Sequence, residues 1–360
     1  MLGLLGILGA LAAGVAADAL LSSALKAGDD EEEGQDDPPE DADEGGSILD
    51  WTDGGAVDAG EVAGGAASAS AGTEAPDPAE EGQPVSDDLP DPVDGDMTLA
   101  GADGVDILTA GGGSDLVSGG AGDDLIAGQG GGDLLSGDAG RDEVHGGAGA
   151  DTVLGGEGAD TLQGEEGDDT LHGGAGDDLA AGHEGDDSLT GGTGDDTLVG
   201  GAGDDTLAGE AGDDRLQGGD GDDLVLGGTG ADEVDGGAGD DTLWGQMPET
   251  GEDEADFLNG GAGDDHLFLG PGDWGNGGEG DDTFTLHEIE PGDSPATIVD
   301  FDHDRDTLVV LYDPGQHPDP ELSLDADGQG NGTVMLDGVP VAMVQGGAGM
   351  DLSSVLLMVA

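Results

Sequence analysis

The sequence predicts an all-β fold, a parallel β-solenoid, and three observations support this prediction. A nine-residue pattern recurs without a gap from Gly101 to Trp244, which gives sixteen units. The sixth residue of every unit is Asp, and the eighth is Leu, Val or Ile in fifteen units and Ala180 in the other. With 80 Gly and 86 Asp plus Glu in 360 residues, large apolar side chains are too few for a conventional globular core. Such a fixed short period is typical of solenoids, in which each unit packs against its neighbours.

The charge of the chain excludes several functional classes. Its formal net charge is -82, and its only Lys and Arg residues are Lys26, Arg141, Arg215 and Arg305. Nucleic-acid binding needs a basic surface, so no nucleic-acid partner is expected. The chain has no Cys, which excludes disulfide scaffolds and thiolate metal sites. Because like charges repel in a compact state, such a chain either stays unfolded or folds around cations.

Two segments precede the repeats. Residues 1–27 form the first, an apolar N-terminal helix with three open interpretations: a membrane-inserting anchor through residues 1–25, an atypical signal, or an amphipathic oligomerisation helix. Residues 28–97 form the second, which we predict to be a disordered acidic linker. They combine many Asp, Glu and Pro residues with few apolar side chains, and like charges keep such a segment extended.

The repeat segment, residues 98–285, follows the pattern G-G-x-G-x-D-x-U-x, in which U is aliphatic. Its glycines permit a tight turn in which carbonyl oxygens converge, and the Asp adds a carboxylate. Oxygen-only ligand sets of this kind suit calcium. The last three residues form a short strand whose aliphatic side chain points inward. The predicted metal ligands are Asp106, Asp115, Asp124, Asp133, Asp142, Asp151, Asp160, Asp169, Asp178, Asp187, Asp196, Asp205, Asp214, Asp223, Asp232, Asp241, Asp265 and Asp282.

Two units are needed to make one coil, because a single unit cannot bury its one aliphatic side chain. Successive coils then place Asp residues eighteen positions apart above one another along two edges. At a spacing of about 4.8 Å, two carboxylates repel by roughly 0.9 kcal/mol even in bulk water. A cation between successive turns reverses this repulsion, so metal binding and folding are expected to be one event.

Some units depart from the pattern. Residues 245–259 are one unit enlarged by six residues, in which Asp256 and Leu258 keep the last positions. Residues 269–276 are one residue short, with Trp274 near the Asp place, and we expect this site to be lost. The second Gly is replaced in the loops at 164–169, 182–187 and 209–214, which is expected to weaken those sites.

The repeated motif resembles the RTX (hemolysin-type) calcium-binding repeats over about 185 of the 360 residues, from Gly101 to Thr285. The resemblance implies a parallel β-roll with calcium held between turns by the sixth-position Asp carboxylates and loop carbonyl groups. It also implies export by type I secretion machinery through an uncleaved C-terminal signal. Folding would then follow contact with calcium outside the cell.

The last segment, residues 286–360, is predicted to be a C-terminal β cap, since solenoids need an atypical terminal unit. Strand patterns occur at 297–301 and 307–311, and those at 333–336 and 339–344 flank Asp337-Gly338, a strong hairpin signal. The apolar tail at 352–360 is either the export signal implied by the resemblance or one more cap strand, and these are compatible.

No catalytic motif is present, so we predict that the chain is not an enzyme. The sequence contains no H-E-x-x-H, no G-x-S-x-G and no Walker loop. The function predicted is calcium binding by a secreted or surface-associated protein. One alternative is an adhesin, matrix or membrane-tethered interaction protein. The other is the export and folding module of a toxin or hydrolase whose catalytic part is not in this chain.

Overall fold

The structure, a computed structural model, describes residues 95–246, 254–287 and 291–360. The predicted N-terminal helix and nearly all of the predicted linker lie outside the described residues. The described residues form one compact all-β unit with two short 3₁₀ helices, Gly347–Gly349 and Leu352–Ser354, and without an α-helix. No helix in these ranges is long and apolar enough to cross a membrane.

The strands form two sheets between which the chain alternates. Sheet 1 has 13 strands: β1 (Thr98–Ala100), β3 (Leu116–Ala121), β5 (Leu134–Ala139), β7 (Thr152–Glu157), β9 (Thr170–Ala175), β11 (Ser188–Thr193), β13 (Thr206–Ala211), β15 (Leu224–Thr229), β17 (Thr242–Trp244), β19 (His266–Leu269), β21 (Thr283–Leu286), β23 (Thr307–Tyr312) and β27 (Val355–Val359).

Sheet 2 has 14 strands: β2 (Ile107–Thr109), β4 (Leu125–Gly130), β6 (Glu143–Ala148), β8 (Thr161–Glu166), β10 (Leu179–Glu184), β12 (Thr197–Ala202), β14 (Arg215–Asp220), β16 (Glu233–Ala238), β18 (Phe257–Ala262), β20 (Trp274–Glu279), β22 (Ala296–Ile298), β26 (Val339–Val344), β25 (Gly332–Leu336) and β24 (Leu322–Ala326).

Each coil of the solenoid contains two units, as predicted. Strand β10 pairs in parallel with β8 and β12, so Leu179 lies opposite Thr161 on one side and Thr197 on the other. Both partners are eighteen residues away in the sequence. The parallel β-roll predicted from the repeat period is therefore confirmed.

Within the repeats, the core consists of eighth-position side chains from the two sheets, which meet in the middle of the roll. Leu162, Leu171 and Leu198 are completely buried between the two sheets, and Ala180 is buried at the equivalent place. Most repeat strands have six residues rather than the predicted three, because the two glycines that open the next unit continue the parallel pairing. Backbone hydrogen bonds need no side chain, so the glycines extend the strand.

The turns depend on left-handed backbone at the second and fourth positions of the unit. In the unit that begins at Gly200, Gly201 has φ 127° and Gly203 has φ 134°. Glu165, His183 and Glu210 occupy the second position in their units and hold φ values of 80°, 85° and 77°. Side chains with a Cβ rarely adopt this conformation, so these three turns carry backbone strain.

The C-terminal cap continues both sheets. Strand β22 adds to sheet 2, and β26, β25 and β24 follow it, with antiparallel pairing between β24, β25 and β26. Asp337 and Gly338, at φ 51° and 83°, form the predicted hairpin turn. The chain tail forms β27, which pairs in parallel with β23 at the end of sheet 1. Strand β24 was not predicted, and the pattern at 297–301 yields a strand of only three residues.

Candidate metal centre

The sixth-position Asp residues lie at the two edges of the roll, directly before each strand. Asp160 follows the left-handed Gly158 (φ 137°) and precedes β8, so its side chain turns inward and is only 2% exposed. Its carbonyl oxygen accepts a hydrogen bond from the Leu179 amide in the next coil, at 2.9 Å. The turn therefore buries a carboxylate that sequence alone would place at a solvated surface.

One oxygen of each carboxylate holds the coil before it. The amide of Asp142 donates to Asp160 Oδ1, and the amide of Asp160 donates to Asp178 Oδ1, each at 2.8 Å. On the opposite edge the amide of Asp133 donates to Asp151 Oδ1 at 2.7 Å. The structure thus brings the predicted residues together as two continuous ladders, one along each edge.

The second oxygen of these carboxylates is buried and has no hydrogen-bond partner. The residues with such an Oδ2 atom are Asp124, Asp133, Asp142, Asp151, Asp160, Asp169, Asp178, Asp187, Asp196, Asp205, Asp214, Asp223, Asp232, Asp241, Asp256 and Asp265. A buried carboxylate oxygen without a partner is costly, and this cost recurs at each turn that contains one of these residues.

At most of these turns, the unpaired oxygen and a backbone carbonyl oxygen lie close to the same glycine. A Cβ placed on Gly155 would lie 2.6 Å from Asp160 Oδ2 and 2.5 Å from the carbonyl oxygen of Gly173. A Cβ on Gly119 would likewise lie 2.5 Å from Asp124 Oδ2 and 2.7 Å from the Gly137 carbonyl oxygen. The first Gly of the unit therefore lies in a cradle of oxygen atoms from two successive coils, which has no room for a side chain. Anionic and carbonyl oxygens are the donors that calcium prefers.

The carboxylates are electrostatically unfavourable when they are ionised. Burial raises the pKa of Asp160 from its ordinary value, although the Asp142 amide that donates to it acts in the opposite direction. The pKa of Asp169 rises to about 7, first through burial and then through repulsion from Asp151, Asp187 and Asp168. At neutral pH a buried carboxylate in these turns is therefore stabilised either by taking up a proton or by contact with a cation.

Within the described ranges, no three His, Asp or Glu side chains come together in a metal-binding group. A cation in these turns would therefore need backbone carbonyl oxygens as well as carboxylates. The pairing of Asp160 Oδ2 with the Gly173 carbonyl provides such a mixed set. The donor set thus fits calcium rather than zinc, which favours nitrogen and sulfur ligands.

The first coil differs from the others. Asp106 Oδ2 accepts from the Ala102 amide at 2.7 Å, and Asp115 Oδ2 accepts from the Gly111 amide at 3.2 Å. Asp115 Oδ1 accepts from the Met97 amide at 2.6 Å. Asp115 therefore has both oxygens paired within the protein, unlike the Asp residues of the central coils.

The short unit corrects one prediction. Asp273, not Trp274, occupies the Asp place, because Asp273 Oδ1 accepts from the Asp256 amide at 3.0 Å. The turn before β20 is one residue shorter, but β20 keeps its register with β18. Trp274 therefore points outward. Asp273 Oδ2 accepts from the Gly270 amide at 2.6 Å, so the buried unpaired oxygen of the other turns is absent here.

Three further members of the ladders, Asp256, Asp273 and Asp306, were not among the predicted ligands, although the sequence had placed Asp256 at the Asp position of its enlarged unit. Asp256 lies in its ladder, where its Oδ1 accepts from the Asp232 amide at 2.9 Å, and its pKa is raised to about 8, chiefly by burial. Asp306 continues the same arrangement into the cap by accepting from the Asp282 amide at 3.1 Å. Counting back from the strand, rather than forward from the glycine pair, would have placed Asp273 as well.

A second, exposed ladder of Asp residues runs beside the first. The amide of Asp186 donates to Asp168 Oδ1 at 3.1 Å, and the amide of Asp204 donates to Asp186 Oδ1 at 3.0 Å. These residues occupy the fifth position, and their carboxylates accept from the following coil instead of the preceding one. The frequent Asp-Asp pairs in the repeat were the sequence signal for this ladder.

Comparison with protein-family models matches the description "RTX calcium-binding nonapeptide repeat (4 copies)" to the repeat segment. The matched stretches are residues 100–135, 127–162, 154–189, 181–216, 190–225, 217–246 and 250–273. No curated protein matches the chain. RTX nonapeptide repeats bind several calcium ions, and the regular ladders of buried Asp fit turns of this kind.

Proposed function

We propose that this chain, an RTX-repeat protein whose repeats bind calcium ions, folds its repeat domain, residues 98–285, only in calcium and does so outside the cell. The observation that carries this proposal is the row of buried, unpaired Oδ2 atoms along both edges of the roll. The core receives about one aliphatic side chain per unit, and burying it stabilises the fold too little to offset that cost.

We assign the calcium ligands to the sixth-position carboxylates and to carbonyl oxygens of the following coil. The carboxylates with a buried unpaired oxygen form this group, including Asp256 in addition to the residues predicted from sequence. Asp106 and Asp282 stay in the proposed set as predicted ligands near the two ends, whereas the predicted Asp115 leaves it because both of its oxygens already accept backbone amides. Asp273 does not belong to it, since both of its oxygens accept backbone hydrogen bonds.

The chain's own residues prepare these turns for a cation. Oδ1 of Asp178 is held by the Asp160 amide, which fixes the carboxylate so that Oδ2 faces the oxygen-lined cradle. The first glycine of the unit keeps that space free of side-chain atoms. Calcium, when bound, supplies positive charge that offsets the repulsion between carboxylates of successive coils.

The cellular part of the proposal follows from calcium availability. RTX repeats are typical of secreted proteins. At affinities of about 10⁻⁴–10⁻³ M, usual for extracellular calcium modules, the protein stays unfolded in the cytosol and remains competent for type I export. We assign residues 286–360 to the cap and the export signal, and residues 1–25 to contact with a membrane where the protein stays at the cell surface.

The β-roll itself is a structural module without catalytic machinery in its repeats, and we propose that the chain is not an enzyme. Its role is then to bind calcium as a free or surface-associated protein. Fractionation of producing cells separates these two locations. Recovery of all the protein in the soluble cytosolic fraction, folded, would contradict export.

Circular dichroism during a calcium titration of the purified chain tests the folding step. We expect a disordered spectrum after chelation and a cooperative gain of β signal as calcium rises. Magnesium should not reproduce this gain, because it demands a smaller octahedral shell and releases its water reluctantly. A β-rich spectrum that is already complete after chelation would refute the proposal.

A further inference from the structure

An exposed pair of aromatic side chains lies on the outer face of sheet 2. Phe257 in β18 and Trp274 in β20 are register partners on adjacent strands, and they are 45% and 44% exposed. Aromatic residues make up only 2% of the chain. In the described ranges no other Phe or Trp is exposed to this degree. The pair therefore concentrates scarce aromatic surface at one place.

Strand β20 reverses the usual arrangement of the repeat. Its outward seventh position is Trp274, and its inward eighth position is Gly275 instead of an aliphatic residue. The space at Gly275 is filled from neighbouring strands, since a Cβ there would meet Leu269 Cδ1 at 2.8 Å and Phe284 Cδ1 at 3.3 Å. Trp274 thus contributes little to the core, and its apolar surface remains available to a ligand.

A row of polar side chains runs beside the aromatic pair: Asn259 and Asn276 lie two residues further along β18 and β20, flanked by Asp235 in β16 and by Asp300, which follows β22. Asn259 Nδ2 donates to Asp235 Oδ1 at 2.7 Å, and the Asn276 amide contacts Asn259 at 2.6 Å. In the alternative orientation of its amide, Asn276 instead donates to Asp300 Oδ2 at 2.7 Å, and its hydrogen bond to Asn259 is lost. Asp300 is fixed in turn by the amide of Gly278. This row offers donors and acceptors at a constant spacing beside the rings.

We propose that this surface, the aromatic–amide face formed by Phe257, Trp274, Asn259 and Asn276 between Asp235 and Asp300, binds a neutral polysaccharide. The apolar side of a sugar ring fits on an aromatic ring, and its hydroxyl groups pair with planar amides and carboxylates. A net charge of -82 repels nucleic acids, anionic membranes and acidic glycans. A hydroxyl-rich neutral chain meets no such repulsion and supplies the donors that Asp235 and Asp300 accept.

Isothermal titration of the calcium-saturated full chain with cellohexaose, chitohexaose and maltohexaose tests this inference. We expect at least one of these neutral oligosaccharides to bind. Trp274→Ala should weaken that binding about tenfold, the order expected for loss of an aromatic contact. Asn259→Ala combined with Asn276→Ala should weaken it as well.

Leu179→Ala is the matched control, because Leu179 also occupies an outward seventh position of sheet 2 and is 45% exposed. It should bind the oligosaccharide as the unaltered chain does. Circular dichroism in calcium, recorded on the same samples, separates a binding failure from a folding failure. Absence of binding to all three oligosaccharides by the folded chain, or equal binding by the Trp274→Ala variant, would overturn the inference.

Discussion

The backbone amide of Asp160 donates a 2.8 Å hydrogen bond to Oδ1 of Asp178, eighteen residues later in the chain. The same contact repeats from coil to coil, so in the central coils each ladder carboxylate acts both as a structural clamp and as a source of one unpaired oxygen. In the proposed ligand set, coil stacking and calcium binding therefore use the same side chain. Loss of either function should disturb the other.

Removal of three successive ladder carboxylates should raise the calcium concentration needed for folding. For Asp160→Ala, Asp178→Ala and Asp196→Ala combined, we expect the midpoint to rise on the order of tenfold, since affinity follows the number of charged ligands. Calcium titration followed by circular dichroism measures the shift. An unchanged midpoint would remove these residues from the ligand set.

Two controls accompany that variant. Asp177→Ala with Asp195→Ala removes exposed carboxylates from the same turns and leaves the buried ladder intact, so the midpoint should move little. Substitution of Asp37, Asp41 and Asp43 in the predicted linker should not move it at all.

Low pH should partly substitute for calcium in stabilising the folded roll. Burial raises the pKa of Asp169 and Asp205 to about 7 from an ordinary value near 4, so in this pH range the folded state holds protons that the unfolded state has released. The calcium-free roll is therefore favoured by low pH, and this contribution is lost as pH rises from about 4 to about 7. Dialysed, calcium-free protein should gain β signal between pH 7.5 and pH 5, an estimate that follows from these pKa shifts.

Because the proposed calcium ligands are the oxygens that take up these protons, the calcium midpoint should rise as the pH falls through the same window. Circular dichroism at dilute protein concentration records both effects. A calcium-free spectrum that remained disordered at pH 5 would contradict the raised pKa values.

The first glycine of a unit should be intolerant of any side chain. A Cβ at position 155 would lie 2.6 Å from Asp160 Oδ2 and 2.5 Å from the Gly173 carbonyl oxygen, inside the cradle. Gly155→Ala should therefore raise the calcium midpoint and reduce the β signal at saturation. At Gly130 the nearest atom would be the Ala148 carbonyl oxygen at 3.7 Å, so Gly130→Ala is the control. Equal titration curves for the two variants would show that the cradle has no role in binding.

Much of this architecture could be predicted from the sequence, because the position of a residue within the nine-residue unit determines its structural role. The eighth residue identified Leu162 and Leu198 as core, and the sixth residue identified Asp160 as a ladder member. Asp273 was misplaced since counting forward from glycines fails where a turn loses a residue, whereas pairing between strands preserves the register. The hydrogen bond from the Asp160 amide to Asp178 could not be predicted from the sequence. The period determines which residues stack, but not which carboxylate oxygen accepts a hydrogen bond.

Restoring glycine at a strained second position should stabilise the roll. Glu210 holds φ 77°, a conformation that costs a residue with a Cβ roughly 1–2 kcal/mol, part of which glycine returns as greater freedom in the unfolded chain. Glu210→Gly should therefore lower the calcium midpoint and raise the thermal unfolding temperature. Glu157→Gly removes the same charge at a third position, where no positive φ is required, so it separates strain relief from reduced repulsion. If both variants stabilised the protein equally, the gain would come from the lost charge, and the left-handed turn would not be a source of strain.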